Sequence, residues 1–151
     1  MFDLGEIALR LGVATVVGIL LGLDRELRGF PAGVRTHGLV ALSSAAITVS
    51  ALKLTEVYED SDPLRVVQGL AQAIGFIAAG LIFAARGTVH NTTTAANVWL
   101  AAALGIAAGA AHYDVVMVAT GFGIVILVVV GIIEKRAGLG KPQPSTKPDP
   151  D

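Results

Sequence analysis

The chain has 151 residues, of which 54% are hydrophobic and 15% charged, with a formal net charge of −1 and no cysteine. So much apolar content beside so little charge excludes an ordinary soluble domain, and the near-neutral balance gives nucleic acid nothing to bind. The absence of thiols excludes disulfides, thiolate metal sites and a cysteine nucleophile. The long apolar runs and sparse charge read as a membrane protein.

Crossing a hydrocarbon core of about 30 Å takes roughly 20 helical residues, with about 17 as the lower limit. Five stretches meet that length: Leu4 to Leu23, Gly38 to Leu54, Val66 to Ala85, Thr94 to Ala111 and Val115 to Ile133. The expected fold is all-α, a bundle of five transmembrane helices over residues 1–134, followed by a Pro-rich polar tail at 135–151 that is read as disordered.

In the first stretch Glu6 and Arg10 stand four apart, acid first, so they can pair and reach toward the interface. The acids at this N-terminus replace the basic region of a signal peptide, so it reads as a span that is retained. Ala14, Gly18 and Gly22 then form a small-residue stripe leading to Glu26. The segment LDRELRGFPAGVRTHG that follows crowds Asp24, Arg25, Glu26, Arg28, Arg35 and His37 between apolar runs, and Phe30-Pro31-Ala32-Gly33 inside it is a turn signal. Ser44 and Thr48 share a face of the second helix.

The second loop, TEVYEDSDPLR, is acidic. Glu56, Glu59, Asp60 and Asp62 make a divalent cation a candidate partner, but their spacing fits no EF-hand and the loop reads as a solvated one. The third helix aligns Gln68, Gln72, Gly75 and Ala79, with Gly80 beside them. The two amides need interhelical partners such as Thr48 or Ser50, or else they line a cavity. The fourth helix opens on Thr92, Thr93 and Thr94 and aligns Asn97, Ala101, Gly105 and Gly109. Small residues four apart let helix backbones approach closely, so Gly18, Gly22, Gly75, Gly80, Gly105 and Gly109 are expected to mark helix packing. His112 to Asp114 is a tight hairpin, and the fifth helix lacks a small stripe and is expected to face lipid.

With five spans the termini lie on opposite sides, and Lys plus Arg divide eight against three in favour of the first-loop side. This bias puts the N-terminus outside and the C-terminus in the cytoplasm. It also gathers Asp24, Arg25, Glu26, Arg35, Thr36, His37, Thr93, Thr94 and Asn97 at one mouth of the bundle. An acid and two arginines beside a close helix contact suit a fixed network, or bidentate capture of carboxylate or phosphate. No nucleophile–base pair and no His/Asp/Glu cage stands out, so neither an enzyme, a cofactor nor a transition-metal site is expected.

Three blocks, LGLDRELRGFPAGVRTHGLVAL, DPLRVVQGLAQAIGFIAAGLIF and TTAANVWLAAALGIAAG, resemble in order the signatures of the MgtC/SapB family of bacterial inner-membrane proteins. Ala73 and Ala78 stand where that family favours glycine, and His90-Asn91-Thr92 replaces its R-G-L. The resemblance implies a five-helix inner-membrane protein linked to magnesium limitation and to intracellular survival of pathogens. Longer members continue into a soluble domain, whose properties are not expected of this chain. By position the motif residues are Arg25, Glu26, Arg35, Thr36, His37, Gln68, Thr93, Thr94, Asn97 and Trp99. The expected function is a non-enzymatic regulatory or stress-adaptation module acting through membrane partners or its own oligomer, with a magnesium transporter or channel as the alternative.

Overall fold

The computed structural model describes residues 2–58, 62–83 and 91–137, which form helices α1 (Leu4–Leu27), α2 (Val34–Thr55), α3 (Pro63–Phe83), α4 (Thr92–Gly109) and α5 (Tyr113–Ile124). Beyond Ile124 the last helix continues through a π-helical stretch, Val125–Val130, into α6 (Gly131–Arg136). Among the described residues, five helical spans are long and apolar enough to cross a membrane. The expected tail begins inside this last helix, since Lys135 and Arg136 are still helical, and residues 138–151 lie outside the described part.

The first loop is shorter than the sequence suggests. Asp24, Arg25 and Glu26 belong to α1, and Arg35, Thr36 and His37 belong to α2, leaving only residues 28–33 between the helices. Counting apolar residues ends a span at its first charge, whereas helical hydrogen bonding continues. Here Arg28 Nε binds Asp24 Oδ1 at 2.7 Å one turn back, which favours that continuation.

Both α1 and α4 stop in a Schellman motif. At the end of α1, Gly29 (φ +72°) donates to Glu26 O at 3.1 Å and Phe30 donates to Arg25 O at 3.0 Å. At the end of α4, Ala111 (φ 61°) donates to Ala108 O at 3.0 Å and His112 to Ala107 O at 2.9 Å. Alanine pays a steric penalty in the left-handed region that glycine does not. Ala111→Gly is therefore expected to stabilise the protein by roughly 0.5–1 kcal/mol, once the greater unfolded-state freedom of glycine is subtracted. A raised thermal midpoint in detergent would show it; an unchanged or lower midpoint would contradict it.

The core is α1, α2 and α4, packed on one another. A Cβ at Gly18 would lie 2.6 Å from the His37 carbonyl oxygen, and one at Gly22 would lie 2.7 Å from Val34 Cα. On the other side of α2, a Cβ at Gly105 would overlap the Ala41 carbonyl oxygen, and one at Gly109 would lie 2.8 Å from the Ala45 carbonyl oxygen. Helix α2 thus sits between two glycine pairs. It runs parallel to α4, since Gly105 and Gly109 meet Ala41 and Ala45 in the same order, and antiparallel to α1.

The other two spans are peripheral. Helix α3 rests on α4 and α2, and α5 on α4 and α1. Only 11% of the best apolar window in each is buried, against 61% in α4, so most of their surface is left for lipid or for other chains. Gly75 and Gly80 were expected among the packing glycines. Among the described residues a Cβ at either would meet nothing within 4 Å, so within one chain they mark no close approach. Both are exposed, on different sides of α3.

Candidate functional site

The polar groups at the first-loop end fall into two layers. The deeper layer is a set of interhelical hydrogen bonds. Asn97 Nδ2 on α4 donates to the Leu21 carbonyl of α1 at 3.1 Å and lies 2.9 Å from His37 Nε2 on α2. His37 Nδ1 lies 2.8 Å from the Gly33 carbonyl. A carbonyl only accepts, so Nδ1 carries the proton. The Leu21 carbonyl likewise fixes the amide with its NH2 inward, so Nε2 accepts from Asn97. His37 is therefore a neutral Nδ1–H imidazole, fully buried, and Asn97 joins α1, α2 and α4 at one point.

One turn nearer the end, Arg25 Nη2 donates to Thr94 Oγ1 at 2.8 Å, tying α1 to the first turn of α4. Arg25 is only 5% exposed, and its guanidinium carbon lies 3.9 Å from the centre of the Phe30 ring. The Schellman turn makes that stacking possible, because it brings the residue after the αL glycine back over the helix's last turn.

The outer layer is different. Glu26 is exposed and does not meet Arg35; its Oε2 accepts from the Val34 backbone N–H at 3.1 Å, at the start of α2. A carboxylate there satisfies a free donor and opposes the positive end of the helix dipole. Gly33 leaves the room, since a Cβ at that position would collide with the same carboxylate. Arg35 is exposed and Thr36 half-buried, and neither joins the network among the described residues. The expected three-membered cluster of Arg25, Glu26 and Arg35 is thus split: Arg25 turns inward to α4, Glu26 turns to α2, and Arg35 points outward. Thr93, about 100° round the α4 start from Thr94, is also exposed.

Gln68 and Gln72 lie elsewhere. Both are exposed on α3, and among the described residues neither amide has a hydrogen-bond partner. Thr48 and Ser50, the expected partners, bond to the Ser44 and Ala46 carbonyls of their own helix at 2.8 Å each. In the acidic loop Asp62 accepts from Leu64 N at 2.9 Å, while Glu59 and Asp60 lie outside the described residues.

Sequence reasoning undervalued Arg10. It does pair with Glu6, but it is 5% exposed and its Nη1 donates to the Gly109 carbonyl at 2.7 Å, at the last turn of α4. A signal was present in the spacing: Arg10 to Arg25 and Thr94 to Gly109 both span 15 residues, so two antiparallel helices can be tied at both ends. Trp99 is 46% exposed and packs toward α3, away from this network.

The MgtC family profile matches residues 11–136. Protein SapB of Bacillus subtilis (strain 168) is 36% identical over 114 residues, covering 72% of this chain and 49% of its own. Protein MgtC of Brucella abortus (strain 2308) is 38% identical over 119 residues, covering 79% of this chain and 49% of its own. An Escherichia coli (strain K12) protein named "Putative magnesium transporter YhiD" is 33% identical over 114 residues, covering 72% and 53%. The chain thus spans about half the length of these curated relatives. No solved structure matches it. The glycine contacts and the network around Arg25, His37, Thr94 and Asn97 fall within the matched residues, as does all of the three core helices except the first two turns of α1, and the chain belongs to the MgtC family.

Proposed function

We propose that the chain is a non-enzymatic module of a bacterial inner membrane that acts by contact, first with a second copy of itself, in adaptation to low magnesium. The observation that carries this reading is α3, which presents Gln68, Gln72, Gly75 and Phe76 outward while the core helices are locked to one another. A primary amide facing hydrocarbon lacks the partners that water would supply. Amides both donate and accept, so the same face of a second copy satisfies them, and the adjoining glycines allow the close approach this needs. Arg25, Arg28, Arg35 and Arg136 all belong to one end of the bundle, which supports a cytoplasmic first loop and C-terminus.

The second reading is a magnesium transporter, favoured by the name of the Escherichia coli relative. A carrier would have to draw on Glu26 or Asp24, and both carboxylates are engaged at the end of the bundle, by Val34 N–H and by Arg28.

The chain has no cysteine, so a single introduced one reports alone. Phe76→Cys, at a site 84% exposed on α3, is expected to cross-link copies in native membranes several-fold more than Met117→Cys, 71% exposed on α5. Gln68→Leu with Gln72→Leu should remove the difference. Equal cross-linking at both sites, with magnesium flux into proteoliposomes of the purified chain, would replace contact by transport.

A further inference from the structure

A cavity of about 380 Å³ opens at the first-loop end, where the π-helical stretch leaves a gap against α1 and the start of α4. Its polar wall comes from Arg25, Arg28, Thr92 and Thr93, and its apolar wall from Ile126 and Val130. Two features are left unanswered by the protein. Arg25 is 5% exposed, yet among the described residues its Nε is buried without a hydrogen-bond partner and no carboxylate lies within ion-pair distance of its guanidinium; the Asp24 charge acts on it only from beyond that range and is shared with Arg28. A buried cation in that condition is expensive unless something brings it negative charge. The 18-residue helix α4 also starts at this cavity, and among the described residues no side chain caps it, so the first-turn N–H groups and the positive end of its dipole face the same space.

We propose that this cavity binds a phosphate group, with Arg25 and Arg28 supplying charge and the Thr92–Thr93 start of α4 supplying N–H and hydroxyl donors. Tetrahedral oxyanions suit this combination, because a guanidinium fork takes two oxygens and a helix start takes a third. The apolar wall favours a phosphate attached to lipid, with the glycerol and first methylenes lying along Ile126 and Val130; inorganic phosphate shares the same polar chemistry. The site is independent of association through α3, since none of its residues lies on that helix.

Gly131 supplies a clean block. A Cβ there would lie 3.2 Å from Arg28 Nη1, and a larger side chain would extend into the cavity while raising helix propensity. The full chain is placed in phosphatidylcholine nanodiscs, and its thermal midpoint is followed as phosphatidylglycerol is added, or as potassium phosphate replaces chloride at constant ionic strength. Lipid retention is read in parallel by native mass spectrometry. Phosphatidylglycerol, whose phosphate charge is not cancelled as choline cancels that of phosphatidylcholine, is expected to be retained about tenfold over phosphatidylcholine and to raise the midpoint. Gly131→Leu should abolish both effects, and Arg28→Gln with Thr93→Val should weaken them at least about threefold. Stabilisation by potassium phosphate alone, lost in Gly131→Leu, would support the site with the free anion as ligand. No response to either anion, or a response unchanged in both variants, would overturn it. Arg25 is left intact throughout because its bond to Thr94 also holds the bundle.

Discussion

Gly105→Ala is expected to destabilise the bundle by roughly 1–3 kcal/mol, while Gly75→Ala changes stability by less than about 0.5 kcal/mol. The added methyl at 105 would overlap the Ala41 carbonyl oxygen and also lie 2.9 Å from Ser44 Cβ. Backbone cannot rotate away as a side chain can, so α2 and α4 would have to separate over their whole contact. Separation would also strain the bond between Asn97 and His37, about two turns away on the same pair of helices. At Gly75 the same methyl meets nothing within 4 Å among the described residues, and alanine is the better helix former. Denaturation of the two variants in mixed micelles tests the contrast directly. Equal losses would mean that α2 and α4 do not meet through Gly105.

The second large effect is expected at Asn97. Asn97→Leu should cost about 1–3 kcal/mol, because it strips the buried His37 Nε2 and the Leu21 carbonyl of their shared donor. Much of that cost belongs to the acceptor left behind. Adding His37→Leu should therefore recover part of the loss, giving a coupling of about 0.5 kcal/mol or more in a double-mutant cycle. Additive losses would show that the two side chains do not share a bond. A complementary readout is the nitrogen chemical shifts of the His37 ring: the Nδ1–H tautomer should be kept in Asn97→Leu, because the Gly33 carbonyl still takes that proton's hydrogen bond, while the Nε2 resonance should shift as its donor is lost.

The contrast between Gly105 and Gly75 shows how far the sequence could be read. Four-residue spacing of small side chains announced both stripes equally, but spacing identifies a face and not its neighbour. Whether a stripe meets α2 or the outside depends on the order in which helices assemble around the core. Five spans were countable from hydropathy alone, since bilayer thickness fixes their length. Their ends were not, because charged residues such as Asp24, Arg25 and Glu26 remain in a helix when paired or capped. Convergence of Thr94, Asn97 and His37 followed from topology, as all three sit near helix starts or ends on one side. The separate fates of Arg25, Glu26 and Arg35 could not be read, because consecutive or nearby residues on a helix point in directions 100° apart and the neighbour met by each is a tertiary matter. Arg10 shows the reverse: its pairing with Glu6 was visible locally, while its bond to Gly109 needed the register of α1 against α4.

That register has a mechanical meaning. Arg10 grips α4 at its last turn and Arg25 grips it at its first, about 22 Å apart along α1. Sliding one rod along the other would have to pull both anchors at once, each out of a site where water cannot take over its bonds. Axial travel between these two rods is thereby blocked, and any shape change that carries a message across the bilayer must be borne by the loosely held outer spans.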